Sequence, residues 1–143
     1  MSVARILAHK GRKVTSVGPD ATLQEAAGVM SAEGIGAVLV LDGTRALLGV
    51  LSERDIVRAV AARGPGVLAD EVRFHMTRDV VTCGESDSVN GLMEVMTTRK
   101  FRHVPVVDRG RVTGIVSIGD VVKFRLAEIE MEHQALREYI ATG

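Results

Sequence analysis

The heptapeptide Gly49-Val-Leu-Ser-Glu-Arg-Asp55 returns as Gly114-Ile-Val-Ser-Ile-Gly-Asp120, 65 residues further on. A duplication within 143 residues leaves little freedom. Each copy is too small to enclose a core of its own, so each must bury its apolar face against the other. Upstream the correspondence continues with a shift of 66: Leu23, Ala26, Ala27 and Met30 fall on Val89, Leu92, Met93 and Met96. Both sets have the i, i+3, i+4, i+7 spacing of one helix face. The first helix opens on the capping box Thr22-Leu-Gln-Glu25, whereas the second opens at Ser88 with Gly91 in place of the acid, which predicts a weaker N-terminus. Residues 37–41 then match 103–107, apolar and β-branched runs that read as buried strands. The shift drops to 65 at a loop tip, where Asp42-Gly43-Thr44-Arg45 faces Asp108-Arg109-Gly110, read as a three-residue hairpin with Gly110 in the left-handed position. Second strands over 47–51 and 112–116 lead into helices starting at Ser52 and Ser117. Short leading strands are expected over 14–17 and 80–83, and a linker over 62–72 around Gly64-Pro65-Gly66. Each unit is therefore strand, helix, strand, strand, helix, and two units packed sheet to sheet about a pseudo-twofold axis satisfy both.

Several function classes lack their parts. Eighteen Lys and Arg balance eighteen Asp and Glu, and aromatics are only 3%, so neither a phosphate-neutralising surface nor a base-stacking platform is offered to nucleic acid. No apolar run is long enough for a signal peptide or a bilayer span, which predicts a soluble, cytoplasmic protein. The lone Cys83 reads as a small apolar filler, and His9, His75 and His133 show no metal-ligand spacing, so no metal is expected. There is no GxxxxGK[ST] and no GxSxG, and the glycines of Gly34-Ile-Gly36 lead into a strand rather than opening a helix. No catalysis is expected.

The doubled Gly-h-h-Ser-x-x-Asp (h, apolar), the β-α-β-β-α order and the stretch Arg102-His-Val-Pro-Val-Val-Asp108 resemble a tandem cystathionine β-synthase (CBS) domain pair, or Bateman module, over most of the chain. The resemblance implies an α+β fold with CBS repeats at 1–62 and 72–125, a linker at 63–71 and a C-terminal helical extension at 126–143. It also implies a sensor of adenosine-containing ligands: AMP first, with ATP, ADP, NAD(H) or S-adenosylmethionine as alternatives. Ser52 and Ser117 read as helix N-caps, with Asp55 and Asp120 at the third helical position, where an acid complements the helix dipole. A helix N-terminus also offers N–H groups to a phosphate, and a carboxylate one turn in accepts from a ribose diol. The family uses the Ser and Asp of this motif in that way, and the roles carry over to Ser52, Asp55, Ser117 and Asp120. Val50-Leu51 and Ile115-Val116 are expected to wall the adenine, and Thr15, Ser16, Val81 and Thr82 on the leading strands to touch base or phosphate.

The two sites should differ. Glu53-Arg54 stands where the second copy has Ile118-Gly119, and Arg102-His103 replaces Gly36-Ala37. Arg54, Arg102 and His103 are thus candidate phosphate ligands, set against a plain reading of Arg99, Lys100 and Arg102 as a solvated helix end. Beyond Asp120, apolar residues Val122, Leu126, Ile129, Leu136 and Ile140, with His133 among them, recur at spacings of 3 and 4. This seam predicts a homodimer. The reading is a regulatory module that binds nucleotide and modulates a separate effector protein; the alternative is a ligand-independent dimerisation or scaffolding module whose Ser and Asp residues only cap helices.

Overall fold

The computed structural model describes residues 2–142. Its elements are α1 (Val3–Lys10), β1 (Ser16–Val17), α2 (Leu23–Glu33), β2 (Ala37–Leu41), β3 (Leu47–Ser52), α3 (Glu53–Arg63), α4 (Val89–Arg99), β4 (His103–Asp108), β5 (Arg111–Ser117) and α5 (Ile118–Thr142). The linker is not bare coil but two 3-10 turns, Pro65–Ala69 and Val72–Phe74. One sheet has the order β1-β2-β3, with β1 parallel to β2, and the other pairs β4 with β5.

The leading strand expected over 80–83 is reduced to a single rung, Cys83 against Val106. Proline explains the loss. In the first repeat the Leu39 N–H donates to the Thr15 carbonyl at 3.2 Å. The counterpart of Leu39 is Pro105, which has no N–H to offer Val81. The turn over Asp108–Arg111 also departs from expectation. Asp108 pairs with Arg111, so the loop has two residues, and both Arg109 and Gly110 have positive φ (51° and 77°), as in a type I′ turn.

Helix starts follow the capping residues. Thr22 accepts from the Glu25 N–H, while the Glu25 carboxylate takes the Thr22 hydroxyl rather than its backbone. Ser88 accepts only from the Gly91 N–H. At the other end, α2 stops at Gly34 and α4 at Lys100, both left-handed, with φ of 66° and 59°.

Three apolar clusters fill the body. Leu39, Leu41 and Val112, flanked by Val14, Leu47, Val50, Val107 and Ile115, lie along the seam between the sheets. Backbone and side chain of Arg45 both bond Val112 across it. The remaining two clusters are crossed. The core of the second repeat, built on Leu92, Met96, Val104 and Val116, is completed by Val3, Ile6 and Leu7 of α1. The core of the first, built on Leu23, Met30, Val38 and Leu51, is completed by Val67 and Val72 of the linker. The segment that precedes each repeat therefore packs on the other one. Arg12, just past α1, adds a two-pronged bond to Glu85, which also accepts from Thr113.

This crossing gives a physical reason for the repeated glycines. A Cβ on Gly49 would lie 2.6 Å from the Thr77 carbonyl, and one on Gly114 would lie 2.7 Å from a methyl of Leu7. Each glycine is the place where the crossing segment presses on the sheet.

Candidate functional site: two capped helix ends at the sheet edges

In the first repeat, the parallel pairing of β1 with β2 and the antiparallel pairing of β2 with β3 bring Thr15-Ser16, Gly36-Ala37 and Ser52 to one edge of the sheet. Ser52 ends β3 and caps α3. Its hydroxyl oxygen accepts from the Asp55 N–H at 3.2 Å, while Asp55 Oδ2 accepts from the Ser52 N–H at 2.9 Å and from its hydroxyl at 3.0 Å. The second repeat reproduces this frame: Ser117 accepts from the Asp120 N–H at 3.1 Å, and Asp120 Oδ2 accepts from the Ser117 N–H at 2.8 Å. Aspartate is thus able to close the box that Glu or Gln usually closes, and the capping role is complete in both copies. The following residue is tied down in each case, Glu53 N–H to the Gly36 carbonyl and Ile118 N–H to that of Arg102.

Strand alternation divides the expected adenine walls. Leu51 and Val116 are wholly buried in the cores of their own repeats and present no surface to a ligand. Only Val50 and Ile115 turn toward the seam, where they are half-buried. Thr15 is half-buried and Ser16 exposed at the first edge. Val81 precedes the Cys83 rung, while Thr82 lines a small hollow with Asp87, Ser88 and Gly91 at the start of α4, apart from the groove that Asp120 borders.

The surroundings of the two carboxylates differ. Arg54 is exposed on α3, and the Glu53 side chain lies over Gly36. In the second repeat His103 pairs directly with Ser117, and the exposed Arg102 precedes it. His103 is held below its ordinary pKa by partial desolvation; Asp120 pulls it up, and Lys10 and Arg102 push it down. Lys10 reaches in from the end of α1. Its ammonium donates to Asp120 Oδ2 at 2.6 Å and to the Ile115 carbonyl at 2.7 Å. Partial burial raises the Asp120 carboxyl, but the Lys10 ammonium and the Ser117 donors more than offset this and leave it below the usual range.

Lys10 is the residue that sequence reasoning missed. Val3, Ile6 and Leu7 at helical spacing, with Gly11 as a stop, mark α1 as an amphipathic helix. Nothing in the sequence says that its last lysine meets a carboxylate 110 residues away. Cys83 sits half-buried beside the second core, its thiol pushed up to about 11 by burial and then by Asp87. Among the described residues, no three His, Cys, Asp or Glu gather as a metal site, and no helix is long and apolar enough to cross a membrane.

Comparison with known proteins places these features in a family. The chain is similar to the CBS-domain containing protein ATU1752 of Agrobacterium tumefaciens, at 49% identity and a TM-score of 0.79 over 87% of this chain and 92% of that one. It is similar to PAE2072 of Pyrobaculum aerophilum, solved in complex with AMP (28%, TM-score 0.73, 84% and 89% covered). The CBS domain pair of MJ0100, solved with 5′-methylthioadenosine and S-adenosyl-L-methionine, matches at 26% with a TM-score of 0.76, over 90% and 98% of the two chains. A curated relative, the mitochondrial CBS domain-containing protein CBSX3 of Arabidopsis thaliana, is 33% identical over 87% of this chain and 62% of its own length. Another is spanned over 66% of its length, so the chain covers slightly under two thirds of these relatives. The CBS domain model itself matches twice, at residues 6–62 and 69–127. Two matches that cover most of the described residues, on the duplicated scaffold of capped helix ends, make this chain a member of the CBS domain family, with two CBS domains in tandem.

Proposed function

We propose that the chain is a regulatory module that binds adenosine nucleotides at the two Ser-x-x-Asp helix ends and passes the resulting change to a separate effector protein. One observation carries this reading: two equivalent, partly exposed carboxylates stand on capped helix N-termini at the open edges of the sheets, each beside a half-buried apolar residue of the seam, Val50 or Ile115. The carboxylate suits a ribose diol, the helix end a phosphate and the apolar residue one face of adenine. Ligands bound by similar chains, AMP in one and S-adenosyl-L-methionine with 5′-methylthioadenosine in another, share adenine on a ribose with a free 2′,3′-diol. In this reading Ser52, Asp55, Ser117 and Asp120 hold the ligand, Arg54, Arg102 and His103 serve its phosphates, and AMP is the first ligand to try. Thr15, Ser16 and Val81 stand in reserve as base contacts.

Assembly belongs to the same proposal. Val122, Leu126, Ile129, Leu136 and Ile140 of α5 are each at least half exposed, a stripe that two copies of the chain would cover as a homodimer. Residues 126–143 would then be the dimerising extension of a pair formed by 1–62 and 72–125. Light scattering on the full chain and on a truncation after Arg125 tests this, with a monomeric full-length chain as the overturning result.

Calorimetric titration with AMP tests the site. Asp55→Ala and Asp120→Ala should each abolish binding at one repeat while lowering stability by only about 1 kcal/mol, the usual cost of a cap partner. Unchanged affinity in both variants would leave the carboxylates as caps alone and favour the scaffolding reading.

A further inference from the structure

The two sites differ in what already occupies the carboxylate. In the first repeat the Val50 carbonyl accepts from the backbone N–H of Thr77 at 2.9 Å, and Asp55 bonds only Ser52 among the described residues. In the second, the matching carbonyl of Ile115 is taken by the side chain of Lys10, which uses a second donor on Asp120. A neutral backbone donor has been exchanged for a cation, and that cation lands on the group that would receive a ribose.

From this we infer that Lys10 biases the second site toward phosphorylated adenosine ligands over uncharged or cationic ones, through a contact on the carboxylate that the first site lacks. The inference rests on the adenosine reading above. A ribose diol brings two hydroxyl donors to Asp120 but only neutral acceptors for the displaced ammonium, so a plain nucleoside exchanges a charge-assisted bond for a weaker one and binds poorly. A nucleotide brings its own anion. The ammonium can move from carboxylate to phosphate on its flexible four-carbon stem, and the full charge of Asp120 returns to the diol. The stem has room for this: Lys10 and Asp120 stand at the head of an open groove between α1 and α5, with side chains 29% and 22% exposed. A cationic adenosine derivative would meet the lysine as a like charge.

The test compares AMP with adenosine on the full chain, unmodified and as Lys10→Met and Lys10→Arg. Affinities come from calorimetry, and the imidazole NMR signals of His103, which faces Ser117, assign binding to the second site. The unmodified chain should bind AMP at that site at least about tenfold more tightly than adenosine, as expected when one charge-assisted contact is gained. Lys10→Met should cut the AMP-over-adenosine ratio at that site about tenfold, to whatever preference Arg102 and His103 sustain, weakening AMP and leaving adenosine equal or tighter, while Lys10→Arg keeps the ratio. The first site should keep its own ratio throughout. If Met at this helix end melts the fold, Lys10→Gln makes the same comparison. A ratio that Lys10→Met leaves unchanged, or a loss shared equally by AMP and adenosine, overturns the selectivity and leaves the adenosine reading standing. If neither ligand binds the unmodified chain at either site, both fall together.

Discussion

Laid over each other, the two repeats agree in the capped helix start and the hairpin strand that feeds it, and disagree in the leading strand, which the second lacks, and in what the crossing segment brings. Both have Ser caps, aspartate-closed boxes and a glycine where the other half presses in. The first edge is completed by backbone, Thr77 on Val50, and the second by a lysine side chain on Ile115 and Asp120. Hydrogen-bond geometry is conserved between copies because the backbone enforces it. Charge is free to diverge, since a side chain that satisfies the same acceptor can carry a cation or none.

The comparison can be broken most severely at the glycines. Gly49→Ala drives a methyl into the backbone carbonyl of Thr77, which cannot yield without moving the linker, and should cost more than about 2 kcal/mol. Gly114→Ala meets only the end of a leucine side chain and should cost about 1 kcal/mol. Urea melts of the two variants decide whether the first crossing is the stiffer. A smaller effect of opposite sign is expected at the helix ends. Lys100 holds a left-handed conformation that Gly34 holds in the other copy, so Lys100→Gly should raise stability by roughly 0.5–1 kcal/mol, read as a higher Tm. The least effect belongs to Cys83, whose rung on Val106 matches that of Val17 on Val40. Cys83→Val puts into one repeat what the other already accommodates and should change stability by about 0.5 kcal/mol or less, with a thiol this protonated contributing no reactivity to lose.

The sequence carried the duplication, the helix faces and both Ser-x-x-Asp caps, because these rest on local spacing that each copy reports independently. It also carried enough to foresee that Leu51 and Val116 face inward, since alternation along a strand sends neighbours to opposite sides. The collapse of the second leading strand was written in Pro105, though only the pairing of β4 with a neighbour reveals which acceptor goes without its donor. What could not be read was the crossing. A helix of eight residues at the start of the chain has an apolar face but no mark of which core it enters, and that choice decides where Lys10 ends up.

The crossed arms bear on how the protein is made. Synthesis runs from the N-terminus, so α1 emerges before either repeat, yet the core that receives Val3, Ile6 and Leu7 is closed by Val116 and Val121, more than 100 residues later. The first repeat acquires the linker it needs as soon as Val72 has appeared. The three apolar side chains of α1 stay uncovered until the residues of the second repeat that receive them have been translated. Docking of α1 thus waits on the second repeat, and the Lys10 contact cannot form before Ile115 and Asp120 have been made.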